Sequence, residues 1–236
     1  MTRIVNNCVA LVCLCLFWGQ SLRAADASHS EQIKWGNESV FNEEHNTLGL
    51  FSGVLGGQIV LAGGTSDDYS RWGRNAVCLS ENAGFALYED VLSKPLAYGA
   101  SITLSDGILC IGGRDSSQCY EDVFFVTMQQ GKLNVSEDWP PLPFPLSNAA
   151  GALLDNKVYL FGGRKSVSPS RLSDSFFVLD LSNKSRGWKE LPGYPGCVRE
   201  DAILVVQNNG VSPCLYLLGG QTETEEGLSS CLTDGY

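Results

Sequence analysis

The sequence predicts an all-β protein made of repeated sheets, and three features of its 236 residues carry that prediction. A short apolar segment runs into a glycine pair at four places. Each of these segments follows another apolar segment and a tight-turn signal, which is the order of a β-hairpin. No helical periodicity of any length interrupts them. The glycine pairs begin at Gly63, Gly112, Gly162 and Gly219, so they are spaced 49, 50 and 57 residues apart.

Each repeat holds signals for four strands. Asp106-Gly107 and Asp155-Asn156 mark turns between the first two strands, because these residues tolerate the positive φ angles of tight turns. After the glycine pair come a polar loop and a third β-rich segment, as at 122–127. The fourth strand is predicted around a tryptophan, Trp139 or Trp188. Four strands in about 50 residues are typical of a blade of a kelch-type β-propeller.

The glycine pairs and the tryptophans both have a physical reason in such a fold. The second strand is expected to end at the crowded top of the blade, where a β-carbon would collide with neighbouring backbone. Trp139 and Trp188 are expected to lie flat between blades and fill the interblade core. A single glycine pair would be explained by an ordinary turn, but four of them at one spacing indicate a repeat.

The fourth repeat is incomplete in the sequence. It has strands near 201–206 and 214–218, and only the beginning of a third at 233–236. About three and a half four-stranded blades are therefore expected within residues 49–236. Because an open propeller leaves unpaired strand edges and uncovered apolar residues, we expect this chain to be the N-terminal part of a longer propeller.

Residues 1–27 are predicted to be an export signal, since an apolar run at 8–18 precedes small residues at 25–27. That run has 11 residues, whereas a helix that spans a bilayer needs about 20. The protein is therefore expected to be periplasmic or secreted, with no membrane contact once the signal is cleaved. Residues 28–48 form an N-terminal segment, in which Gln32–Trp35 is expected to supply the strand that closes the ring.

The charge of the chain argues against nucleic acid as a partner. It carries 16 Lys and Arg against 26 Asp and Glu, a net charge of −10 that repels phosphate backbones. Neither a metal nor another cofactor is expected, because the two histidines, His29 and His45, precede the blades and no C-x-x-C pair occurs. The same lack of ligands excludes a copper oxidase of the galactose oxidase kind, which also uses kelch blades.

Six cysteines remain after the predicted signal, and most of them are expected to be buried free thiols. If any are bonded, Cys110–Cys119 and Cys214–Cys231 are the favoured pairs.

Six segments follow one another in an order and spacing that resemble a known family: Leu96–Ser101, Gly107–Gly113, Cys119–Phe124, Leu142–Ala150, Lys157–Gly163 and Thr233–Tyr236. It is the cyclically permuted mutarotase family, exported bacterial kelch propellers similar to N-acetylneuraminate epimerase, and the resemblance covers residues 33–236. The resemblance implies a six-bladed periplasmic propeller that interconverts the anomers of sialic acid. Anomer exchange opens and recloses a hemiketal, which needs a base and an acid. An arginine is the expected partner of the substrate carboxylate, because a planar guanidinium can donate two hydrogen bonds to it.

The catalytic signature of that family is not found in this chain. The signature has Gly-Glu, then Pro-Gly two residues on, then Arg-Thr. The segment Gly193–Arg199 keeps Pro195-Gly196 and the arginine but lacks the preceding Gly-Glu. The catalytic residues are therefore left unassigned. The resemblance implies isomerase activity for the full-length parent, and the alternative is a non-catalytic kelch module that binds a glycan or a protein.

Two positions of each repeat are expected to open onto the central channel: one follows the glycine pair, and the other precedes the innermost strand. Arginines there would form a local site for an anion such as a sialic acid-like sugar acid, the expected small-molecule partner. The alternative is that each arginine binds loop carbonyls or pairs with a carboxylate such as Asp115 or Glu200. The candidate binding residues are Tyr98, Arg114, Asn148, Arg164, Arg199 and Gln221.

Overall fold

The computed structural model describes residues 48–80, 84–224 and 227–236, in which nearly all regular structure is β-strand. The first eight strands are β1 (Phe51–Leu55), β2 (Gln58–Ala62), β3 (Ala76–Ser80), β4 (Gly84–Tyr88), β5 (Ala100–Thr103), β6 (Ile108–Ile111), β7 (Val123–Gln129) and β8 (Lys132–Ser136). The next six are β9 (Ala150–Leu154), β10 (Lys157–Phe161), β11 (Arg164–Ser166), β12 (Arg171–Leu172), β13 (Phe176–Asp180) and β14 (Lys189–Glu190). A 3-10 helix (Leu181–Arg186) joins the last two of these. The final four are β15 (Ile203–Asn208), β16 (Pro213–Leu218), β17 (Gln221–Glu223) and β18 (Ser229–Cys231). The predicted signal at 1–27 and the predicted closing strand at 32–35 lie outside the described residues.

Three antiparallel four-stranded sheets confirm the predicted repeat. We call them blade A (β1 to β4), blade B (β5 to β8) and blade C (β9, β10, β13 and β14). The hairpin β11–β12 is inserted between the second and third strands of blade C. All-β class and repeat period thus agree with the sequence analysis.

Blade D is the pair β15–β16, and the hairpin β17–β18 follows it. The last residues of the chain pair with β16: the backbones of Leu217 and Tyr236 exchange hydrogen bonds of 3.0 and 2.9 Å, and Gly235 bridges to Leu218. This pairing is where the sequence places the start of a third strand.

The tryptophan segments differ in detail from the prediction. In blade B the fourth strand is β8, which ends before Trp139, and in blade C it is β14, which begins after Trp188. Trp139 packs on Phe125 with 5.2 Å between ring centroids. Nε1 of Trp188 donates a 3.0 Å hydrogen bond to the carbonyl of Pro140, which links blade C to the end of blade B. Both side chains are partly buried against the core cluster that blades B and C share.

The core lies between the blades, so inner strands are covered on both faces. Strand β6 is buried along its whole length. Ile108 and Cys110 pack in a cluster with residues of blade A, whereas Leu109 and Ile111 pack with residues of blade C. Because consecutive side chains of a strand point to opposite faces, a strand between two blades is apolar throughout rather than alternating.

Each of the first three glycine pairs binds the backbone of the following blade. The second glycine donates its N–H to a carbonyl of the loop that leads into the next blade: Gly64 to Leu96 at 2.9 Å, Gly113 to Leu146 at 2.8 Å and Gly163 to Arg199 at 2.8 Å. A β-carbon on the first glycine would lie 2.2, 2.2 and 2.5 Å from those same three oxygens. All of these glycines have positive φ. The predicted collision with neighbouring backbone is therefore the reason for the motif.

Gly112→Ala should destabilise the protein by about 3 kcal/mol or more, since its β-carbon would meet the Leu146 carbonyl at 2.2 Å on top of the strain of φ +63°. Gly131→Ala is the matched control, because Gly131 has φ +73° but nothing within 4 Å of the added carbon. In the control variant only the backbone strain should lower the free energy of unfolding, by about 1 kcal/mol. Denaturant unfolding of both variants measures the difference, and equal losses would contradict the steric explanation.

Candidate functional site

Four residues at equivalent positions bring the inner ends of the blades together. Each lies two residues before an inner strand and has a left-handed backbone: Gly49 (φ 64°), Tyr98 (φ 60°), Asn148 (φ 55°) and Asp201 (φ 53°). The N–H of each donates to the carbonyl of the preceding one, with distances of 2.7, 2.7 and 3.0 Å along the series. We call these four residues the inner rim. Their backbone hydrogen bonds place one residue of each blade next to the equivalent residue of the following blade.

Most of the residues that the sequence analysis selected lie on or beside the inner rim. Tyr98 and Asn148 are members of it. Arg114, Arg164 and Gln221 pair through their backbones with the residues immediately before the rim positions, namely Ala97, Ser147 and Glu200. Their assignment as ligand-binding residues stays a prediction, but the structure places these five in one region.

The guanidinium group of Arg114 is held among three aromatic rings. Its central carbon lies 4.6 Å from the ring centroid of Tyr98, 5.2 Å from that of Trp72 and 5.9 Å from that of Tyr69. The tyrosine rings stack with an interplanar angle of 19°, and the Tyr98 hydroxyl donates to that of Tyr69 at 3.3 Å. Cation–π contacts of this kind orient a guanidinium without using its N–H donors.

No carboxylate of the described residues forms an ion pair with Arg114. Within the described parts of the chain, no side-chain hydrogen bond and no ion pair involves its guanidinium. Asp115, the neighbour expected to pair with it, instead accepts hydrogen bonds from Tyr120 at 2.6 Å and Ser117 at 2.7 Å. Arg114 is half-buried, so its donors remain able to bind a ligand.

Arg164 has the opposite surroundings. Its Nε donates to Glu200 at 2.8 Å, and its terminal nitrogens bind Glu200 again, Ser170 at 2.5 Å and Glu223 at 3.2 Å. These contacts raise the pKa of Arg164, chiefly through the hydrogen bonds to Glu200. For Arg164 the structure therefore supports the alternative that the sequence analysis left open, a pairing with Glu200.

Tyr98 occupies a backbone position that suits it poorly. Its counterparts in the other blades are glycine, asparagine and aspartate, the residues that adopt positive φ most readily. A bulky side chain with this backbone costs about 1 to 3 kcal/mol. The ring is nevertheless tightly placed, because it covers Gly49, where a β-carbon would lie 2.8 Å from it. Burial raises the pKa of the Tyr98 phenol, so it stays a neutral hydrogen-bonding group.

Asp201 was not selected from the sequence, yet it is the rim residue of blade D. Its Oδ1 accepts a 2.9 Å hydrogen bond from Nδ2 of Asn148. The side chain is exposed, but the protein atoms around it reduce the solvation of its carboxylate. This desolvation raises the pKa of Asp201, and the nearby charge of Glu200 adds to the effect.

Arg199 lies away from the inner rim, in contrast to the expectation from sequence. Its side chain is completely buried and donates to Asp234 at 2.6 and 2.8 Å, to the Gly219 carbonyl at 2.8 Å and to the Tyr194 hydroxyl at 2.8 Å. It occupies the position that Leu96 and Leu146 hold in the earlier repeats, since all three carbonyls accept from a glycine pair. Hydrogen bonds from Arg199 lower the pKa of Asp234.

The repeat alignment could have identified Asp201 from sequence. Arg199-Glu200-Asp201 aligns with Leu96-Ala97-Tyr98 and Leu146-Ser147-Asn148 if the glycine pairs set the register. The sequence analysis instead assigned the position before the inner strand to Arg199, two residues too early. Tyr69 and Trp72 were missed because they lie in the loop between β2 and β3, which carries no repeat signal.

A separate cleft of about 240 Å³ lies beside blade B, with Lys94, Asp122, Phe124 and Trp139 in its walls. Its one lysine already binds both oxygens of Asp122 at 3.0 Å. The cleft therefore lacks an unpaired cation of the kind found at Arg114. Across residues 48–80, 84–224 and 227–236, no three His, Cys, Asp or Glu side chains converge as metal ligands, and no helix has the length and apolarity to cross a bilayer.

The six cysteines of the described region are all free, so neither candidate disulfide is formed. Cys78, Cys110 and Cys119 are buried, Cys214 is half-buried, and Cys197 and Cys231 are exposed. Burial raises the pKa of the Cys110 thiol, which keeps it protonated. The expectation of mostly buried thiols holds for the blades A and B and fails in the region of blade D.

Comparison with known proteins identifies the type of repeat. A model described as the Kelch motif matches residues 145–192, the stretch that contains blade C. The chain therefore contains a Kelch motif. The solved structure of YjhT superposes on this kelch chain with a TM-score of 0.62 and 14% identity, over 79% of this chain and 64% of YjhT. That likeness supports the propeller fold.

Several proteins similar to this kelch chain are named N-acetylneuraminate epimerase. The one from Vibrio cholerae is 31% identical over 106 residues, which is 45% of this chain and 25% of that protein. One from Yersinia pestis is 30% identical over 103 residues, and one from Haemophilus influenzae is 30% identical over 101. The matched region spans about a quarter of the length of these relatives.

Arg199→Ala should destabilise the protein by about 2 to 4 kcal/mol, because it leaves a cavity and removes the partner of Asp234 and of the Gly219 carbonyl. Arg199→Leu should cost less than half as much, since leucine fills the equivalent position in the two preceding repeats. Thermal or denaturant unfolding compares them. Equal losses would show that the charge, rather than the volume, is required there.

Proposed function

We propose that the inner rim binds a sugar acid of the sialic acid class, and that the exported protein carrying this rim exchanges the anomers of that sugar. The names of the relatives support the substrate class. The apolar run at 8–18, followed by small residues, supports export. The side chains of the rim region support both the binding of the sugar acid and the exchange of its anomers.

The observation that carries the proposal is the unmatched guanidinium of Arg114. A sialic acid carries a carboxylate on its anomeric carbon, and a planar guanidinium binds a carboxylate through two parallel hydrogen bonds. Three rings fix the position of Arg114, so little conformational freedom is lost when a ligand binds. The same rings offer apolar walls for the carbon skeleton of a sugar.

Anomer exchange needs groups that accept and donate protons near the anomeric centre. The rim supplies such groups at Tyr98 and Asp201, on either side of Asn148. Glu200 is less suited to this role, because both of its carboxylate oxygens bind Arg164. The paired Arg164 and Glu200 instead hold the end of blade C against the loop that leads into blade D.

Arg114→Gln should weaken the binding of N-acetylneuraminic acid by about 10- to 100-fold, the value of a charge-assisted contact. Arg74→Gln is the control: it removes the same charge from blade A, where Arg74 pairs with Asp90 at the surface. The control should bind within twofold of the unchanged protein. Calorimetric titration measures both, and equal affinities for Arg114→Gln and the unchanged protein would contradict the proposed site.

NMR exchange spectroscopy of the sugar tests the catalytic part of the proposal. Added protein should increase the rate at which the two anomers of N-acetylneuraminic acid interconvert, and Arg114→Gln should reduce that increase. Binding without any change of the exchange rate would instead identify a non-catalytic glycan-binding module, which is the alternative that the sequence left open.

A further inference from the structure

Asp201 has a carboxylate oxygen that its surroundings leave available. One oxygen accepts the hydrogen bond from Asn148 at 2.9 Å. No hydrogen bond to the other oxygen occurs within the described residues, and no ion pair involves Asp201 there. The side chain is exposed on the rim. A free acceptor in a partly desolvated position favours binding a hydroxyl group that can replace the lost water.

The two arginines close to Asp201 do not neutralise it. Arg164 is occupied by Glu200 and Glu223, and Arg114 is held by its aromatic rings. Both lie within electrostatic reach of Asp201, because their charges act to lower its pKa, but desolvation and Glu200 outweigh them. The rim therefore holds a cation and an acid within electrostatic reach of each other, with no ion pair between them among the described residues.

Tyr98 connects the two groups. Its ring lies 4.6 Å from the Arg114 guanidinium, and its carbonyl accepts the N–H of Asn148, whose amide in turn binds Asp201. Asp201 also influences the pKa of Tyr98, as Arg114 does, so both groups lie near the phenol. A ligand seated over this tyrosine would meet a donor on one side and an acceptor on the other.

We propose that Arg114 and Asp201 form the two halves of one site, in which Asp201 accepts a hydrogen bond from a hydroxyl that the ligand carries next to its carboxylate. This inference rests on the proposed function, since it takes Arg114 as the carboxylate contact. It goes beyond it by assigning Asp201 as the residue that selects the hydroxyl of a 2-hydroxy acid, which for a cyclic sugar acid is the free anomeric hydroxyl. A glycoside of the same sugar lacks that hydroxyl and would lose the Asp201 contact.

The test compares two probes, N-acetylneuraminic acid and its 2-methyl glycoside, by calorimetric titration. The unchanged protein should bind the free acid about tenfold more tightly than the glycoside, since one hydrogen bond to a charged acceptor is lost. Asp201→Ala should remove that preference, and it should leave the glycoside bound at least as tightly as before, because the repulsion between the Asp201 carboxylate and the ligand carboxylate is removed as well. Arg114→Gln should weaken the binding of both probes.

Asp155→Ala is the matched control. Asp155 also has a left-handed backbone, with φ 49°, but it lies in the turn between β9 and β10, at the far end of β9 from the rim. It should keep the full preference for the free acid. Asp201→Asn replaces the alanine variant in this test if that variant unfolds, because asparagine readily adopts the left-handed backbone of this position. It should lower the preference for the free acid at least threefold.

The outcomes separate this inference from the proposed function. If the unchanged protein binds neither probe, the proposed function fails. If it binds both probes equally, or if Asp201→Ala keeps the preference, the proposed function stands and the role of Asp201 is wrong. Loss of the preference in Asp155→Ala would also overturn the inference, since the effect would then come from backbone strain.

Discussion

The contact between each of the first three glycine pairs and the backbone of the next blade controls the distance between those blades. At Gly63 and Gly112 the neighbouring carbonyl oxygen would lie only 2.2 Å from an added β-carbon. The adjacent glycine donates an N–H to that same oxygen. Such an approach satisfies a buried acceptor and is open only to a residue without a side chain. The backbone hydrogen bonds of the inner rim, from Tyr98 to Gly49 and from Asn148 to Tyr98, depend on this glycine contact, because they form only when neighbouring blades approach closely.

The repeated part of the fold could be predicted because its signals are local. Strand, turn and glycine pair lie within a dozen residues of one another, and β6 and β10 were found where the apolar segments placed them. The tryptophan strands were less well placed, since Trp139 follows its strand and Trp188 precedes it. A tryptophan that fills the space between blades can be supplied from either side of a short edge strand, so its position in sequence fixes the strand only loosely.

The three arginines show why the site was only partly predictable. Arg114, Arg164 and Arg199 are the same residue type in related positions, yet their surroundings differ: aromatic rings, carboxylates and the buried core. These differences arise from Tyr69, Glu200 and Asp234, which other loops supply. A sequence repeat gives the position of a side chain on its own blade, whereas its partners depend on which loops meet there. Only the alignment of the glycine pairs would have placed Arg199 in the core.

An acidic protein that binds an acidic ligand depends on short-range contacts rather than on its overall field. The net charge of −10 repels an anion at a distance, but at physiological salt such repulsion fades over about 8 Å. At contact, the guanidinium of Arg114 acts in a partly desolvated position, where its hydrogen bonds are less screened. In the proposed site, Asp201 would add selectivity at a cost in attraction, because its own charge opposes a carboxylate. The hydrogen bond from the ligand hydroxyl would offset that repulsion, so a ligand without this hydroxyl meets the repulsion with nothing to compensate for it.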